Sequence, residues 1–283
     1  MDSVNNAYQL GLYEKSMPNT LSWVEKLNVV KNCGFDYLEV SIDETDEKLA
    51  RLIADHEDIK RAMNITGVPI RSLCLSAHRK YPLGSKAEST QHRSLEIMEG
   101  AIDFAAELGI RIIQLAGYDV YYEQSDEQTR SNFEKNLYES VKMASKKGVC
   151  LGFETMETDF MDTVSKAMHY VQLVDSAYLG LYPDIGNLKN ASLLYGLDVN
   201  EDLKQGEGHL FACHLKETKL GVYREVPFGT GHTEFLRNLE VLCTLGVRMF
   251  VGEFWDTGKK AWKEDIAAAA VFLRNNLDRA FDE

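Results

Sequence analysis

Four residues suited to holding a divalent cation punctuate the second half of the sequence, each closing a short apolar run. They are Glu154 in VCLGFETM, Asp184 in LGLYPDIGN, His214 in LFACHLKE and Glu253 in RMFVGEFW. Their separations are 30, 30 and 39 residues. A strand with its following helix takes about 30 residues, so the spacing sets one such residue at the end of each of four strand–helix units. In a closed parallel barrel, residues at the same end of successive strands face one site. Three carboxylates and an imidazole gathered there favour Mn²⁺ or Mg²⁺ and admit Co²⁺ or Zn²⁺. Taken singly, each has a plainer reading: a carboxylate as a helix cap, Asp184 as a turn residue after Pro183, His214 as a satisfied core histidine. A carboxylate directly after an apolar run is costly to bury unless paired or metal-bound. That pattern occurs twice, as GFE and GEF, and favours one shared metal.

Such a centre suits proton chemistry beside a carbonyl. A metal chelating a carbonyl and the adjacent hydroxyl acidifies the neighbouring carbon and stabilises the developing enediolate, while a carboxylate carries the proton. Glu154 and Glu253 fall on the fifth and eighth strands, where they flank a substrate from opposite sides. Two bases on opposite faces of a planar enediolate invert a carbon. One base working along a single face gives a 1,2-isomerase.

The elements that must position these residues are legible as alternation. Strands are expected at Tyr8–Tyr13, Tyr37–Ser41, Ile70–Ser76, Ile112–Ala116, Cys150–Thr155, Leu179–Tyr182, Phe211–Leu215 and Met249–Phe254. Helical periodicity is expected over Leu21–Asn32, Glu47–Met63, Glu88–Leu108, Glu127–Lys146, Thr163–Val174, Leu193–Gln205, Thr233–Leu245 and Trp262–Phe281. Gly34, Gly109, Gly148 and Gly246 each stand between a helix and the next strand, where a left-handed residue closes the helix. The sequence predicts a single (β/α)8 TIM barrel spanning 1–283, parallel strands inside and helices outside. A doubly wound open sheet would usually carry a GxGxxG turn after its first strand; GLYEKSMPN has none.

Composition narrows the partners. With 31 basic and 44 acidic residues the net charge is −13, which disfavours nucleic acid and anionic membranes. No apolar run approaches the ~20 residues of a membrane span, and the N-terminus lacks a signal pattern. Five scattered cysteines form no CxxC pair and read as reduced core residues of a cytoplasmic protein.

Nearly the whole chain resembles the L-ribulose-5-phosphate 3-epimerase family of xylose-isomerase-like barrels. The resemblance is carried by LGLYEK, GFDYLEVSIDE, CLSAHRKYPLGS, LGFETMET, LYPDIGN, HLKETK, VPFGTGHTEF and GEFW. It implies interconversion of L-xylulose 5-phosphate and L-ribulose 5-phosphate in L-ascorbate catabolism. It also implies one divalent metal ion on Glu154, Asp184, His214 and Glu253, with Glu154 and Glu253 as the paired bases. The partner is a small ketose phosphate, and a homodimer is compatible with the chain.

Further substrate contacts are expected from Glu157, Asn187 and Lys216, the last on the inward face two residues after His214. His78 and Arg79, ending the third strand, are expected to reach substrate oxygens or phosphate. Barrel enzymes often bind phosphate in the loops after strands 7 and 8. Lys219, Arg224 and the Gly229-Thr230-Gly231 turn into a helix supply one candidate set. Arg79, Lys80 and Ser85 supply another. The enzymatic alternatives are a free-ketose 3-epimerase and a hexulose-6-phosphate isomerase; the non-enzymatic one is a sugar-phosphate-binding barrel. An abasic-site endonuclease would need more histidines and a basic groove than seven His and this charge provide.

Overall fold

Eight strands alternate with helices in the computed structural model of the chain, which describes residues 7–54 and 56–282. The strands are β1 (Gln9–Tyr13), β2 (Tyr37–Ile42), β3 (Ile70–Leu75), β4 (Ile112–Ala116), β5 (Cys150–Glu154), β6 (Leu179–Leu181), β7 (Cys213–Leu215) and β8 (Met249–Gly252). Every one lies within two residues of its expected bounds. All pair in parallel, in the order β6-β5-β4-β3-β2-β1-β8-β7. The ends of that order meet, but not through a ladder. Between β6 and β7 there are only the bridges Leu181↔Leu210 and Asp184↔His214. The hydrogen bonds there run from Leu181 N to His209 O (2.8 Å), Phe211 N to Leu181 O (2.9 Å) and His214 N to Pro183 O (2.9 Å). The barrel is closed, with a seam.

The helices are α1 (Trp23–Asn32), α2 (Asp46–Ala50), α3 (His56–Thr66), α4 (Glu88–Leu108), α5 (Glu127–Lys147), α6 (Val164–Val174), α7 (Ile185–Tyr195), α8 (Val199–Lys204), α9 (Phe235–Thr244) and α10 (Trp262–Phe281). Two expectations are corrected. The stretch expected as one helix over Glu47–Met63 is α2 and α3. The one expected over Leu193–Gln205 is the end of α7 and all of α8, parted at Gly196. α7 therefore begins directly after Asp184, which caps it by accepting the Asn187 N–H at 2.8 Å. Gly109 and Gly148 close α4 and α5 with φ of 75° and 68°, a region open to glycine without strain.

Strand alternation sorts the interior into two cores. In β2, Leu38, Val40 and Ile42 join the large aliphatic layer between sheet and helices. Tyr37, Glu39 and Ser41 alternate with them, and Tyr37 belongs to a smaller, aromatic cluster with Tyr13, Cys74, Tyr182 and Val251. Buried Gln114, His214 and Ser72 make the inside of the barrel polar. Polar groups that deep must be bonded or functional.

One buried charge cluster anchors the loop after β1. Glu14 is wholly buried, and its Oε1 meets Lys26 at 2.6 Å, Lys48 at 2.9 Å and Arg51 at 2.7 Å. Its Oε2 accepts the Ser41 N–H at 2.9 Å. Burial works upward on this carboxyl, but Lys48, Lys26 and Arg51 outweigh it and hold it far below the usual range.

Candidate metal centre and active site

Glu154 ends β5, Asp184 follows β6, His214 lies in β7 and Glu253 follows β8. One ligand atom from each lies within 4.8 Å of all the others, and all four residues are buried. The structure thus brings together the four residues expected from spacing alone. Their supports come from the backbone outward. Gln114 of β4 donates its amide to Glu154 Oε2. Asp184 N donates to Thr155 Oγ1 at 3.1 Å, and Glu253 N to Leu215 O at 3.0 Å. His214 turns Nε2 toward Glu39 Oε1 at 2.6 Å and Nδ1 toward Glu154 Oε1 at 3.3 Å.

Lys216, also buried, sets its ammonium 2.8 Å from Asp184 Oδ2 and 2.9 Å from Glu253 Oε2. Among the described residues, neither oxygen accepts an aligned hydrogen bond. Charge is short of balance: Glu39, Glu154, Asp184 and Glu253 face only Lys216 and His214. Burial pushes Asp184 up to about 7, although Lys216 pulls the other way. Burial and the Glu253 charge raise Glu154. Burial works upward on Glu253 as well, but Lys216 and His214 outweigh it and bring it to about 2. His214 is raised well above its ordinary value, because Glu39, Glu253 and Glu154 outweigh its burial. Two carboxyls that resist ionising, in a cluster whose carboxyls outnumber its cations, fit a further cation. Hard oxygens with one imidazole suit a divalent ion.

Above the cluster opens a pocket walled by Tyr13, Lys15, Ser76, Arg79, Glu157, Asn187, Lys216, Tyr223, Arg224 and Trp255. Five expected contacts are therefore at the site: Arg79, Glu157, Asn187, Lys216 and Arg224. Arg79 lies over the Tyr121 ring (4.8 Å), and its Nε is buried without a partner among the described residues. Glu157 accepts from Tyr121 Oη at 3.1 Å. Arg224 lies over Trp255 (5.1 Å). Beyond Trp255 is a larger cavity of about 200 Å³, lined by Phe228, Phe254, Trp262 and Phe272 together with Glu225, Asp256 and Asp265, and apart from the four-residue ligand cluster.

Two expected contacts are not brought in. His78 is buried in the wall with Nε2 on Ser94 O (3.1 Å), and burial pushes it down to about 4. Lys219 is exposed in a tight turn that returns at Val222. The glycine turn of the seventh loop already holds an anion of the chain itself. Glu217 accepts from Gly229 N (2.9 Å), Thr233 N (3.0 Å) and Thr218 N (3.2 Å). A Cβ at Gly231 would lie 2.1 Å from Thr218 O and 2.4 Å from Glu217 Oε1. Its glycine is there for close approach, and α9 starts only at Phe235. Of the rival set, Lys80 is exposed and Ser85 Oγ is engaged with Glu123 at 2.6 Å. Sequence reading passed over Glu39, Gln114 and Lys15. The first two carried a signal: a polar residue at an inward position of an otherwise apolar strand.

Fold and site together define a (β/α)8 barrel with a polar, cation-capable centre at the carboxyl ends of its strands. The xylose isomerase-like TIM barrel family model matches residues 27–275. The chain is 42% identical over 275 residues to L-ribulose-5-phosphate 3-epimerase UlaE of Salmonella paratyphi A and of Escherichia coli, covering 96% of this chain and 95% of each relative. Among solved structures, D-allulose 3-epimerase from Methylomonas sp. in complex with D-allulose aligns with a TM-score of 0.76 at 16% identity, over 96% of this chain and 97% of its own. An IOLI protein with a bound zinc atom aligns with a TM-score of 0.78 at 18% identity, over 97% and 100%. The chain belongs to the xylose isomerase-like TIM barrels and, within them, to the L-ribulose-5-phosphate 3-epimerase family. It is an isomerase, a ketose-phosphate 3-epimerase.

Proposed function

We propose that this chain inverts C3 of a ketopentose 5-phosphate, interconverting L-xylulose 5-phosphate and L-ribulose 5-phosphate, with Glu154 and Glu253 as the two proton carriers. The observation that carries the reading is geometric: Glu154 and Glu253 enter one buried cluster from different strands, with a ligand atom of each within 4.8 Å of those of Asp184 and His214. Burial with the Glu253 charge pushes Glu154 up, while Glu253, despite its burial, is drawn down by Lys216 and His214. Carboxyls whose environments drive their affinities apart divide into an acid and a base. Glu253 and Glu154 come from strands on either side of the site and address opposite faces of C3. A divalent ion on Glu154, Asp184, His214 and Glu253 would supply Lewis acidity toward the C2 carbonyl and its neighbouring hydroxyl.

The remaining residues bind and orient. Lys216 offers its ammonium to a substrate oxygen, and Asn187 Oδ1, buried without a partner among the described residues, accepts a hydroxyl. Glu157 takes a further hydroxyl. Arg79, Lys15 and Arg224, the cations on the pocket wall besides Lys216, meet the phosphate. Trp255 and Tyr13, packed edge to face at 6.1 Å, exclude water from one flank.

A panel of phosphorylated and free ketoses tests this, with Mn²⁺, Mg²⁺, Co²⁺ and Zn²⁺ added in turn and deuterium incorporation read at C3. The pentulose 5-phosphate is expected to have by far the highest kcat/KM and to take up solvent deuterium at C3. Equal kcat/KM for a ketose and its 5-phosphate would move the assignment to the free-sugar epimerase. Exchange at C1 alone would make it a 1,2-isomerase.

A further inference from the structure

We propose that Glu39 is a positioning residue of the centre: it keeps a proton on His214 Nε2, so that Nδ1 presents its lone pair to the ligand cluster. The proposal rests on the metal reading above. Glu39 stands on β2, across the barrel from His214, and is fully buried. Its Oε1 faces His214 Nε2 at 2.6 Å. Its Oε2 accepts from Ser72 Oγ and Tyr182 Oη, each at 2.7 Å. A carboxylate only accepts, so all three partners donate, and the imidazole is oriented by that requirement. Nδ1 is then the ring nitrogen left for a cation. It is also the one facing the other ligands, 3.3 Å from Glu154 Oε1 and 3.8 Å from Glu253 Oε2. The Tyr182 ring fixes the imidazole plane from one side, at 4.9 Å and 71°. A ligating histidine whose other nitrogen donates to a carboxylate is fixed in tautomer and made more basic.

The same carboxylate has a mechanical consequence. Tyr182 follows β6 and His214 lies in β7, the two edges of the seam that no ladder joins. Glu39 and Ser72 are direct register partners in the β2–β3 wall, just after a shift of register between Leu38 and Glu39. One buried group thus ties both seam edges to the opposite wall and aims the imidazole that has to meet the metal.

The test compares wild type, Glu39→Gln, Glu39→Leu and Ser72→Ala. Zn²⁺ and Co²⁺ affinities are measured by chelator competition, and the histidine nitrogens of the zinc-loaded chain by ¹⁵N NMR. In the wild type, His214 is expected to show metal-bound Nδ1 and a slowly exchanging Nε2–H. Glu39→Leu is expected to weaken both ions about 10–100-fold. Glu39→Gln keeps a carbonyl acceptor, restores most of that loss and shifts the Nε2–H resonance. Ser72→Ala leaves the His214 bond in place and should weaken binding least. A zinc complex bound through Nε2 overturns the proposal, as does Glu39→Leu binding both ions like the wild type. A lower Tm in both Glu39 variants, with affinity unchanged in the folded fraction, marks a mere brace and overturns it too. Should Glu39→Leu fail to fold, the wild-type spectrum and Glu39→Gln decide: an unmoved Nε2–H resonance in the latter overturns the proposal. A wild-type chain that binds neither ion overturns the metal reading with it, whereas a wild-type chain that binds while Glu39→Leu matches it overturns this proposal alone.

Discussion

The two sides of this barrel are built differently. On the β2–β3–β4 wall, strands of five and six residues pair in parallel ladders of four and five partners, with one shift of register between Leu38 and Glu39. On the other side β6 and β7 are three residues each and meet through two bridges. The chemistry sits on the weak side. Glu154 and Asp184 lie to one side of the seam, on β5 and after β6, His214 and Glu253 to the other, on β7 and after β8, and Asp184 and His214 are themselves bridge partners. The wall supplies stability through ladders and aliphatic packing. The seam depends on side chains, and those side chains are the functional ones.

Substitutions should separate these two kinds of dependence. The largest effect is expected at the seam: Glu253→Gln or Glu154→Gln should each lower kcat by about 10²–10⁴-fold, with metal affinity falling far less. If one variant kept most of its activity, the two-base mechanism would be abandoned. On the wall, Leu73→Ala removes a fully buried β3 side chain and should cost about 2–5 kcal/mol of unfolding free energy. Calorimetric metal titration of the folded protein should be unchanged; a weakened ion would break the division.

His78, just after β3, gives the wall a pH signature. Its folded value of about 4 lies below its ordinary one of 6.5, so the unfolded chain binds the proton more readily. The stability it contributes is complete above about pH 6.5 and is lost as pH falls toward 4, by at most about 3 kcal/mol. His78→Gln keeps a donor for Ser94 O and should flatten that part of the acid limb in urea titrations. The smallest effect sharpens the comparison most. A divalent ion at 100 times its Kd should add about 2.7 kcal/mol. In hydrogen exchange, added protection should concentrate on the seam amides of Leu181, Phe211 and His214. Equal protection of β2 and β3 would mean that the ion does not join the seam edges.

The parts of this design legible in the sequence were those that repeat. Eight apolar runs and their following helices give the barrel, and three carboxylates and a histidine at run ends give the centre. What escaped notice was single and internal. Glu39 occupies a strand position where an alternating pattern reads equally as a solvated face, and only closure of the sheet turns that face inward. The start of α7 was hidden because IGN is a poor helix opening, made viable by the Asp184 cap and by packing. The glycine turn of the seventh loop looked like an anion cradle and is one, but Glu217 from the same loop fills it. Sequence spacing does not reveal which anion a set of amides will meet.

The Glu14 cluster bears on how such a chain can diverge. Lys26, Lys48 and Arg51 come from α1, from α2 and from the residue after it, and all three depend on one carboxylate that water does not reach. Breaking a buried pair from one side costs about 3–5 kcal/mol, so single changes at these four positions should destabilise the fold even though none lines the pocket. Substitutions there should arise in concert, as a set that changes charge together. In a tree of relatives these positions would record lineage, while the pocket cations Lys15, Arg79 and Arg224 would follow the phosphate they meet.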